Sequence, residues 1–209
     1  MTFSIIIPAH NAAGHIRKGL DSIKSQTFTD YELIVVCDSC TDNTEAIAKE
    51  YGAITEAVEY HCDGPTRNRG LQLATGDWVL FMDDDDWWLH EYVLEQLNSA
   101  ICNSFDILCF AFIFKGVGYA SPRGNGGYYW PACWSKMYRR DSIGIACFSD
   151  KTDGTADMWF FAQMFNKGLR IAEWDMPMYY YNYMRQGSIT QERTDQGLQK
   201  DFRVCRTSQ

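Results

Sequence analysis

The sequence predicts an α/β protein with a mostly parallel central sheet flanked by helices and a smaller mixed region in its second half. The first hundred residues alternate short β-rich runs with helical patterns, which is typical of parallel strands joined by crossover helices. Residues 3–8 form a nearly continuous apolar run, as expected for a strand buried on both faces. A chain of 209 residues can bury one substantial core, so we predict a single domain over residues 1–209.

Four strand–helix units are predicted in the first half. Their strands lie at residues 3–8, 31–37, 53–58 and 78–82, and their helices at residues 15–26, 42–51, 65–74 and 89–99. The third strand is the least apolar of the four, which favours a position at the edge of the sheet.

The helices are marked by apolar spacing or by end signals. Apolar residues share one face in the first and last helices, namely Ile16, Leu20 and Ile23, and Leu89, Val93 and Leu97. The second helix ends before Gly52, and the third has Pro65 near its first turn and Gly76 beyond its end.

The second half is less regular and holds most of the aromatic residues. We predict a strand at 106–114, a glycine-rich turn region at 116–127, an extended segment at 128–138, a helix at 155–166, strands at 170–174 and 178–183, and a marginal helix after residue 186. The concentration of aromatic residues after residue 105 suggests that the two halves perform different tasks.

Charge and composition exclude some functions. A net charge of −8 argues against a nucleic-acid surface, which requires a basic stripe. No apolar run reaches the length of a membrane span, so we expect a cytoplasmic protein. The eight cysteines are scattered through apolar surroundings, and we expect them to be reduced. Cys37 and Cys40 form a C-x-x-C pair, for which a redox dithiol is the alternative interpretation.

Four consecutive aspartates, Asp83 to Asp86, follow the predicted strand at 78–82. Adjacent carboxylates repel one another, so such a cluster is most stable around a cation. Oxygen ligands suit Mg2+ or Mn2+, which commonly bridge one or two carboxylates to substrate phosphates. The alternative is a solvated acidic turn. The compact strand-to-helix frame around the aspartates favours a metal site.

Ligands of open parallel sheets bind beyond the carboxyl ends of the strands. The polar residues His10, Asn11 and Asp38 follow predicted strands one and two, and the aspartates follow strand four. We therefore expect these side chains to converge on one pocket. The sequence contains neither G-x-G-x-x-G nor G-x-x-x-x-G-K-[ST], which argues against dinucleotide and P-loop sites.

Four segments resemble the successive motifs of family 2 glycosyltransferases. They are residues 4–11 (SIIIPAHN), 35–43 (VVCDSCTDN), 65–70 (PTRNRG) and 76–86 (GDWVLFMDDDD). The resemblance implies a GT-A fold, a nucleotide-diphosphate sugar donor, a divalent metal and inversion at the anomeric carbon. It also implies that residues 1–100 bind the nucleotide-sugar and that residues 101–209 bind the acceptor.

The same resemblance implies individual roles. The residues expected to bind the nucleotide-sugar are Pro8, His10, Asn11, Asp38, Arg67, Asp83 and Asp84. Among them, Asp38 would read the base, Arg67 would lie near the diphosphate, and Asp84 near ribose or sugar. Asp83 and Asp85 would hold the metal, with Asp85 as the direct ligand. Asp86 is left open between a site role and a turn role.

The family takes its general base from a Glu-Asp pair at the start of a helix in the second half. Residues 155–161 (TADMWFF) fit that frame, which makes Asp157 the candidate base. Ala156 stands in place of the usual Glu. The alternative is that Asp157 only favours the helix N-terminus.

Aromatic side chains after the aspartates could stack on acceptor sugars, or could belong to the core. The acceptor candidates are Trp87, Trp88, Trp134 and Arg185. Arg185, together with Ser188, also resembles a late family element that closes over the diphosphate.

We therefore predict an inverting glycosyltransferase dependent on Mn2+ or Mg2+. It would move one sugar from a nucleotide-diphosphate sugar, a UDP-sugar, to a glycan or lipid-linked acceptor, with peripheral contact to the inner membrane face if the acceptor is a lipid. The alternatives are a sugar nucleotidyltransferase, which would normally have a basic glycine-rich loop near the N-terminus, and a glycan-binding or scaffold protein that has lost catalysis.

Overall fold

The computed structural model describes residues 2–101, 104–124, 127–151, 155–183 and 185. Its strands are β1 Phe3–Ala9, β2 Tyr31–Asp38, β3 Ile54–Val58, β4 Trp78–Phe81, β5 Trp87–Trp88, β6 Ile107–Phe114, β7 Gly118–Ala120, β8 Lys136–Arg139 and β9 Ile171–Tyr181. Its α-helices are α1 Ile16–Lys24, α2 Thr44–Glu50, α3 Asp63–Leu73, α4 Val93–Ala100, α5 Arg140–Ile143 and α6 Ala156–Asn166, and a short 3-10 helix spans Cys133–Ser135.

One sheet with two differently built halves runs through the described residues. Strands β3, β2, β1 and β4 lie side by side in that order and are all parallel. The sheet continues through β8, β6, β9 and β5, where β8 is antiparallel to both of its neighbours and β5 is antiparallel to β9. The predicted parallel sheet with a mixed second region is confirmed, and so is the edge position of β3.

The predictions were least accurate in the second half, where pairing is long-range. Strand β9 is one continuous strand with a bulge opposite β6, whereas two separate strands were predicted. The segment 128–138 is not extended throughout, because it contains the 3-10 turn before β8. The glycine-rich region contains β7. In the first half, the predicted helix at 89–99 begins only at Val93. The predicted helix after residue 186 lies outside the described residues.

Apolar residues of the sheet alternate between two packed layers, one on each face. In β1, Ile5 and Ile7 face the layer that contains the buried residues of α1 and α4, while Ile6 faces the layer that contains those of α6. All three side chains are buried. This two-sided burial explains the continuous apolar run in the sequence. Within the described part of the chain, none of the helices is both long and apolar enough to cross a membrane.

A buried carboxylate ties the starts of three strands together. Glu32 of β2 accepts hydrogen bonds at Oε1 from Ser4 Oγ of β1 (2.6 Å), and from the backbone nitrogens of Thr75 (2.6 Å) and Gly76 (3.1 Å) in the turn before β4. Burial raises the pKa of Glu32, but these hydrogen bonds outweigh it and hold the pKa below its ordinary value. The turn that precedes β4 is therefore fixed to β1 and β2.

We expect Glu32→Gln to lower the free energy of unfolding by about 1–3 kcal/mol at pH 7, because charge-assisted hydrogen bonds are lost. The folded pKa is depressed, so the stabilisation is complete above about pH 4.3 and disappears as pH falls through the folded pKa. Urea unfolding at pH 7 and pH 3 measures this, with exposed Glu59→Gln as control. An equal difference between Glu32→Gln and wild type at both pH values would contradict the assignment.

Candidate active site

The loops after β1, β2 and β4 meet at the carboxyl edge of the parallel strands. His10 N donates to Asp84 Oδ2 over 3.2 Å, and His10 Nδ1 lies 2.6 Å from the carbonyl oxygen of Asp38. Strand β1 lies between β2 and β4, so the chain reverses its direction of sheet growth here. Such a switch point opens a crevice between the neighbouring loops, which is where open α/β sheets bind ligands.

The backbone is strained at the same edge. Among the described residues, three non-glycine residues have positive φ angles: Asn11 (46°), Ser39 (52°) and His61 (53°). Each costs free energy and persists only where its surroundings fix it, and such residues cluster at ligand sites. Asn11 is fixed through its Oδ1, which accepts a hydrogen bond from Thr41 N at 2.8 Å. The strained residues thus mark the crevice independently of the carboxylates.

Asp38 is buried, and its carboxylate organises the loop between β3 and α3. Its Oδ1 accepts hydrogen bonds from the backbone nitrogens of Tyr60 and His61 and from Ser39 Oγ, and its Oδ2 accepts them from Cys62 N and Thr66 Oγ1. Five donors fill the acceptor capacity of one carboxylate. The predicted contact of Asp38 with a base would have to displace one of these donors. Asp38 shapes the loop that carries His61.

Arg67 lies at the centre of a group of carboxylates. Its side chain is only 6% exposed. Nη2 donates to Asp83 Oδ1 over 2.7 Å, Nη1 donates to Asp63, and Nη1 also lies 3.9 Å from Asp157 Oδ1. The guanidinium therefore connects the aspartates after β4 with the candidate base on α6. Its charged neighbours in the structure are these carboxylates, and its proximity to the diphosphate stays a prediction.

Asp83 lies in an environment that disfavours its negative charge. Burial raises the pKa of Asp83 to about 6, the charges of Asp157 and Asp85 add to the rise, and Arg67 opposes it. Burial together with the neighbouring Asp84 also raises the pKa of Asp85, which Arg185 opposes through a hydrogen bond from Nε to Oδ2 at 2.7 Å. Crowded carboxylates of this kind are stabilised by added positive charge.

The carboxylates of this loop could hold a metal ion only if the substrate supplied further oxygen ligands. No group of three His, Cys, Asp or Glu side chains positioned to hold a metal occurs among the described residues. Mg2+ and Mn2+ do not require such a cage, because they commonly take one or two carboxylates and complete their shell with phosphate oxygens and water. Asp83 and Asp85 fit that donor set, since both are carboxylates whose crowding a cation would relieve.

The fourth aspartate has a structural position. Asp86 is fully buried, with Oδ2 accepting from Tyr179 OH (2.7 Å) and Oδ1 accepting from Asn182 N (2.7 Å). Tyr179 OH in turn accepts from Asp83 N over 3.0 Å. Burial, followed by the charges of Asp83 and Asp85, raises the pKa of Asp86 well above its ordinary range. A Cβ on Gly19 would meet Asp86 O at 2.7 Å, so α1 packs directly on this loop.

Asp157 occupies the first turn of α6 with its two oxygens in different environments. Oδ1 is buried and has no hydrogen-bond partner within the described part of the chain, while Oδ2 accepts from Cys133 N over 3.2 Å. The side chain as a whole is 24% exposed, so any access from solvent is at Oδ2. Ala156, in place of the expected Glu, is 1% exposed and packs in the core. A carboxylate at position 156 would therefore be buried.

Two of the predicted acceptor residues belong to the core instead. Trp88 is 3% exposed, and Trp134 is 6% exposed and stacks on Tyr179 with ring centroids 4.8 Å apart. With so little exposed surface, neither ring offers a face to an acceptor sugar in this structure. Trp87 stacks on Tyr180 at 4.1 Å, with Lys18 Nζ 3.1 Å from its ring centroid.

The roles of the other predicted residues stay predictions, and the structure gives their positions. Pro8 is partly buried in β1, directly before the crevice. Arg185 contacts Asp85, so it lies beside the aspartate loop, although it was grouped with the acceptor residues. Ser188 lies outside the described residues.

Asp63, Cys133 and Tyr179 contact the site but were missed from the sequence. Asp63 precedes Arg67 by four residues on α3, and this spacing was the one available signal. Cys133 and Tyr179 are distant in sequence from the residues that they contact, and no local pattern marks them.

A protein-family model described as "Glycosyl transferase family 2" matches residues 4–169. Glycosyltransferase GlyA of Streptococcus pneumoniae serotype 4 is 28% identical over 164 residues, covering 76% of this chain and 23% of that protein. Poly(ribitol-phosphate) beta-N-acetylglucosaminyltransferase TarS of Staphylococcus aureus is 27% identical over 210 residues, covering 90% of this chain and 36% of that protein. The chain thus spans about a quarter to a third of the length of these relatives.

Solved structures share the fold. S. aureus TarS 1-349 in complex with UDP-GlcNAc superposes with a TM-score of 0.74 at 23% identity, covering 87% of this chain and 58% of that one. Glucosyl-3-phosphoglycerate synthase from Mycobacterium tuberculosis, in complex with Mn2+, UDP and phosphoglyceric acid, has a TM-score of 0.66 at 18% identity, covering 88% of this chain and 72% of that one. These likenesses confirm the α/β fold.

We expect Tyr179→Phe to lower the free energy of unfolding by about 1–3 kcal/mol, because it leaves Asp83 N and Asp86 Oδ2 without their buried partner. Tyr138→Phe is the matched control: Tyr138 is equally buried, but its hydroxyl has no hydrogen-bond partner among the described residues. Its stability should be unchanged or higher. Chemical denaturation of both variants measures the difference, and equal losses would contradict the link through Tyr179.

Proposed function

Because the chain belongs to glycosyl transferase family 2 and has its GT-A fold, we propose that it transfers a single sugar from a nucleotide-diphosphate sugar, a UDP-sugar, to a glycan or lipid-linked acceptor. The reaction inverts the anomeric carbon and uses Mn2+ or Mg2+. The observation that carries this proposal is the Arg67 guanidinium, which links Asp83 on the metal side to Asp157 on the acceptor side. Donor and acceptor react only when the groups that bind them are held at a fixed distance from each other.

The donor occupies the crevice after β1, β2 and β4 in this proposal. His10 and Asn11 line the nucleotide, and the loop organised by Asp38 closes the base side. Asp83 and Asp85 hold the metal, which when bound neutralises the charge that develops on the leaving diphosphate. Arg185, in contact with Asp85, brings a further positive charge to the same side.

Asp157 acts as the general base at the acceptor. The acceptor hydroxyl oxygen attacks the anomeric carbon from the face opposite the diphosphate, its proton passes to Asp157 Oδ2, and the bond to the diphosphate oxygen breaks. A single displacement of this kind inverts the centre. Oδ2 is the oxygen proposed for this step because Oδ1 is buried, and the Cys133 N–H that donates to Oδ2 fixes its position.

The names of relatives support the choice of substrates. TarS is named for transfer of N-acetylglucosamine to poly(ribitol-phosphate), and its 1-349 fragment was solved with UDP-GlcNAc. We propose a UDP-sugar donor and a polymeric acceptor on this basis. The nucleotidyltransferase alternative loses its support, because the matched family is one of glycosyltransferases. The cytoplasmic location stays a prediction.

The direct test is a donor screen by thermal shift with Mn2+ present, followed by detection of released nucleoside diphosphate. A bound UDP-sugar at 100 times its dissociation constant should stabilise the protein by about 2.7 kcal/mol. Hydrolysis or transfer from at least one nucleotide-sugar is the expected result. The proposal fails if none of a panel of UDP-, GDP- and dTDP-sugars either shifts the melting temperature or is cleaved.

We expect Asp157→Asn to lower kcat by about 10²–10⁴-fold, because the amide accepts no proton, while the dissociation constant for UDP changes little. Asn retains the shape and an acceptor for Cys133 N, so the fold should persist. Product assays and calorimetry with UDP measure the two quantities. Transfer at the wild-type rate would remove Asp157 as the base, and an inactive wild type that still binds glycans would favour the scaffold alternative.

We expect Asp85→Asn to abolish the extra stabilisation that Mn2+ adds to UDP binding, because a carboxylate ligand is lost. The measurement is the melting temperature with UDP, before and after addition of EDTA. Asp77→Asn, an exposed aspartate before β4, is the control and should respond to Mn2+ as wild type does. A normal manganese response in Asp85→Asn would place the metal elsewhere.

A further inference from the structure

The charges around Arg67 do not balance. One guanidinium faces three carboxylates, those of Asp63, Asp83 and Asp157. The Arg67 side chain is 6% exposed, so its direction is fixed by its contacts rather than by water. Arg presents a planar fork of donors, and the position of that fork depends on which oxygens engage it. The carboxylates that accept hydrogen bonds from the guanidinium therefore set its position.

Among the described residues, the carboxylates of Asp63 and Asp83 accept hydrogen bonds from this guanidinium. Nη1 donates to Asp63 and lies 3.9 Å from Asp157 Oδ1, which is beyond hydrogen-bond reach. Asp157 Oδ1 and Arg67 Nε are both buried, and neither has a hydrogen-bond partner among the described residues. An unpaired buried polar atom costs free energy, so the guanidinium would move towards Asp157 if Asp63 did not hold it. Because Nη2 also donates to Asp83, such a move would change the spacing between Asp83 and Asp157.

Asp63 is itself held on a rigid support. It is the first residue of α3, where Gly64 packs so closely that a Cβ would meet Ser149 O at 1.9 Å. Asn68, one turn further along, exchanges two hydrogen bonds with the backbone of Phe148, at 2.9 and 2.7 Å. The start of α3 is therefore locked to the segment before α6.

We propose that Asp63 is a positioning residue for sugar transfer: by holding Arg67, it keeps the metal-side carboxylate Asp83 and the base Asp157 at their working separation. The inference rests on the proposed function and adds a residue to it. Asp63 touches neither donor nor acceptor in this role, and acts through the guanidinium. The alternative is that Asp63 only stabilises the N-terminus of α3, as an acidic residue in the first turn of a helix does.

Three substitutions at position 63 separate these roles. Asp63→Asn and Asp63→Ser remove the charge but keep residues that suit a helix start, whereas Asp63→Glu keeps the charge. Glu45→Gln is the matched control, because Glu45 is also a first-turn acid and pairs with Lys49 at the same four-residue spacing, at 2.8 Å, away from the carboxylate group.

We expect both neutral variants to lose about tenfold or more in kcat, since small displacements of reacting groups are costly. Their KM for the donor should stay within about threefold of wild type, as expected when an interaction matters mainly in the transition state. Asp63→Glu should recover most of the lost kcat, and Glu45→Gln should keep the wild-type value. A crystal structure of Asp63→Asn should show Arg67 Nη1 at hydrogen-bond distance from Asp157.

Several results would overturn the inference. A wild-type kcat in the neutral variants would show that Asp63 only favours the start of α3. A rise in donor KM that accounts for the whole loss of kcat/KM would show the same. An unmoved guanidinium in the Asp63→Asn structure would contradict the anchor. If neither neutral variant folds, Asp63→Glu decides, because the inference requires a folded protein with kcat near wild type, and a folded but inactive Asp63→Glu overturns it.

These outcomes are distinct from failure of the proposed function. If the wild-type protein transfers no sugar, the proposed function fails, and the position of Arg67 in the Asp63→Asn structure still tests the anchor. If the wild type is active and the neutral variants are equally active, only the role of Asp63 fails.

Discussion

The site depends on how one buried guanidinium offsets a surplus of negative charge. Arg67 is enclosed by Asp63, Asp83 and Asp157. At an effective dielectric constant of about 20, two unit charges about 4 Å apart interact by ~4 kcal/mol, which makes each of these contacts significant. Removing the cation would leave partly buried carboxylates facing one another without a counter-charge. The geometry of the proposed transfer site is thus a consequence of charge compensation.

The two halves of the fold are joined at the same place. Strands β1, β2 and β4 deliver the residues of the crevice, while β9 and α6 come from the mixed half. Tyr179 of β9 accepts from Asp83 N and donates to Asp86, and Arg185 reaches Asp85. The aspartate loop is consequently held from both sides, so that residues of the second half set the position of carboxylates supplied by the first.

Much of this arrangement was readable from local pattern. Continuous apolar runs identify strands such as β1 because both of its faces are buried, and polar residues directly after the strands mark the binding edge. The motifs around His10, Asp38, Arg67 and Asp83 placed these residues at one edge, and the structure brings them there. What each side chain contacts was less predictable. The carboxylate oxygens of Asp38 are occupied by hydrogen-bond donors of the loop, and the side chains of Trp88 and Trp134 are buried.

The sequence by itself determined the order of the strand–helix units, the parallel half of the sheet and the family, because these depend on periodicity and short motifs. Only the tertiary structure decided that Tyr179 supports Asp86 across 93 residues, that β5 exists as a two-residue strand against β9, and that Arg67 pairs with Asp63 while lying 3.9 Å from Asp157. These contacts depend on which side chains share a buried space. Local propensity carries no information about partners that are distant in the chain, so packing and charge compensation decide them.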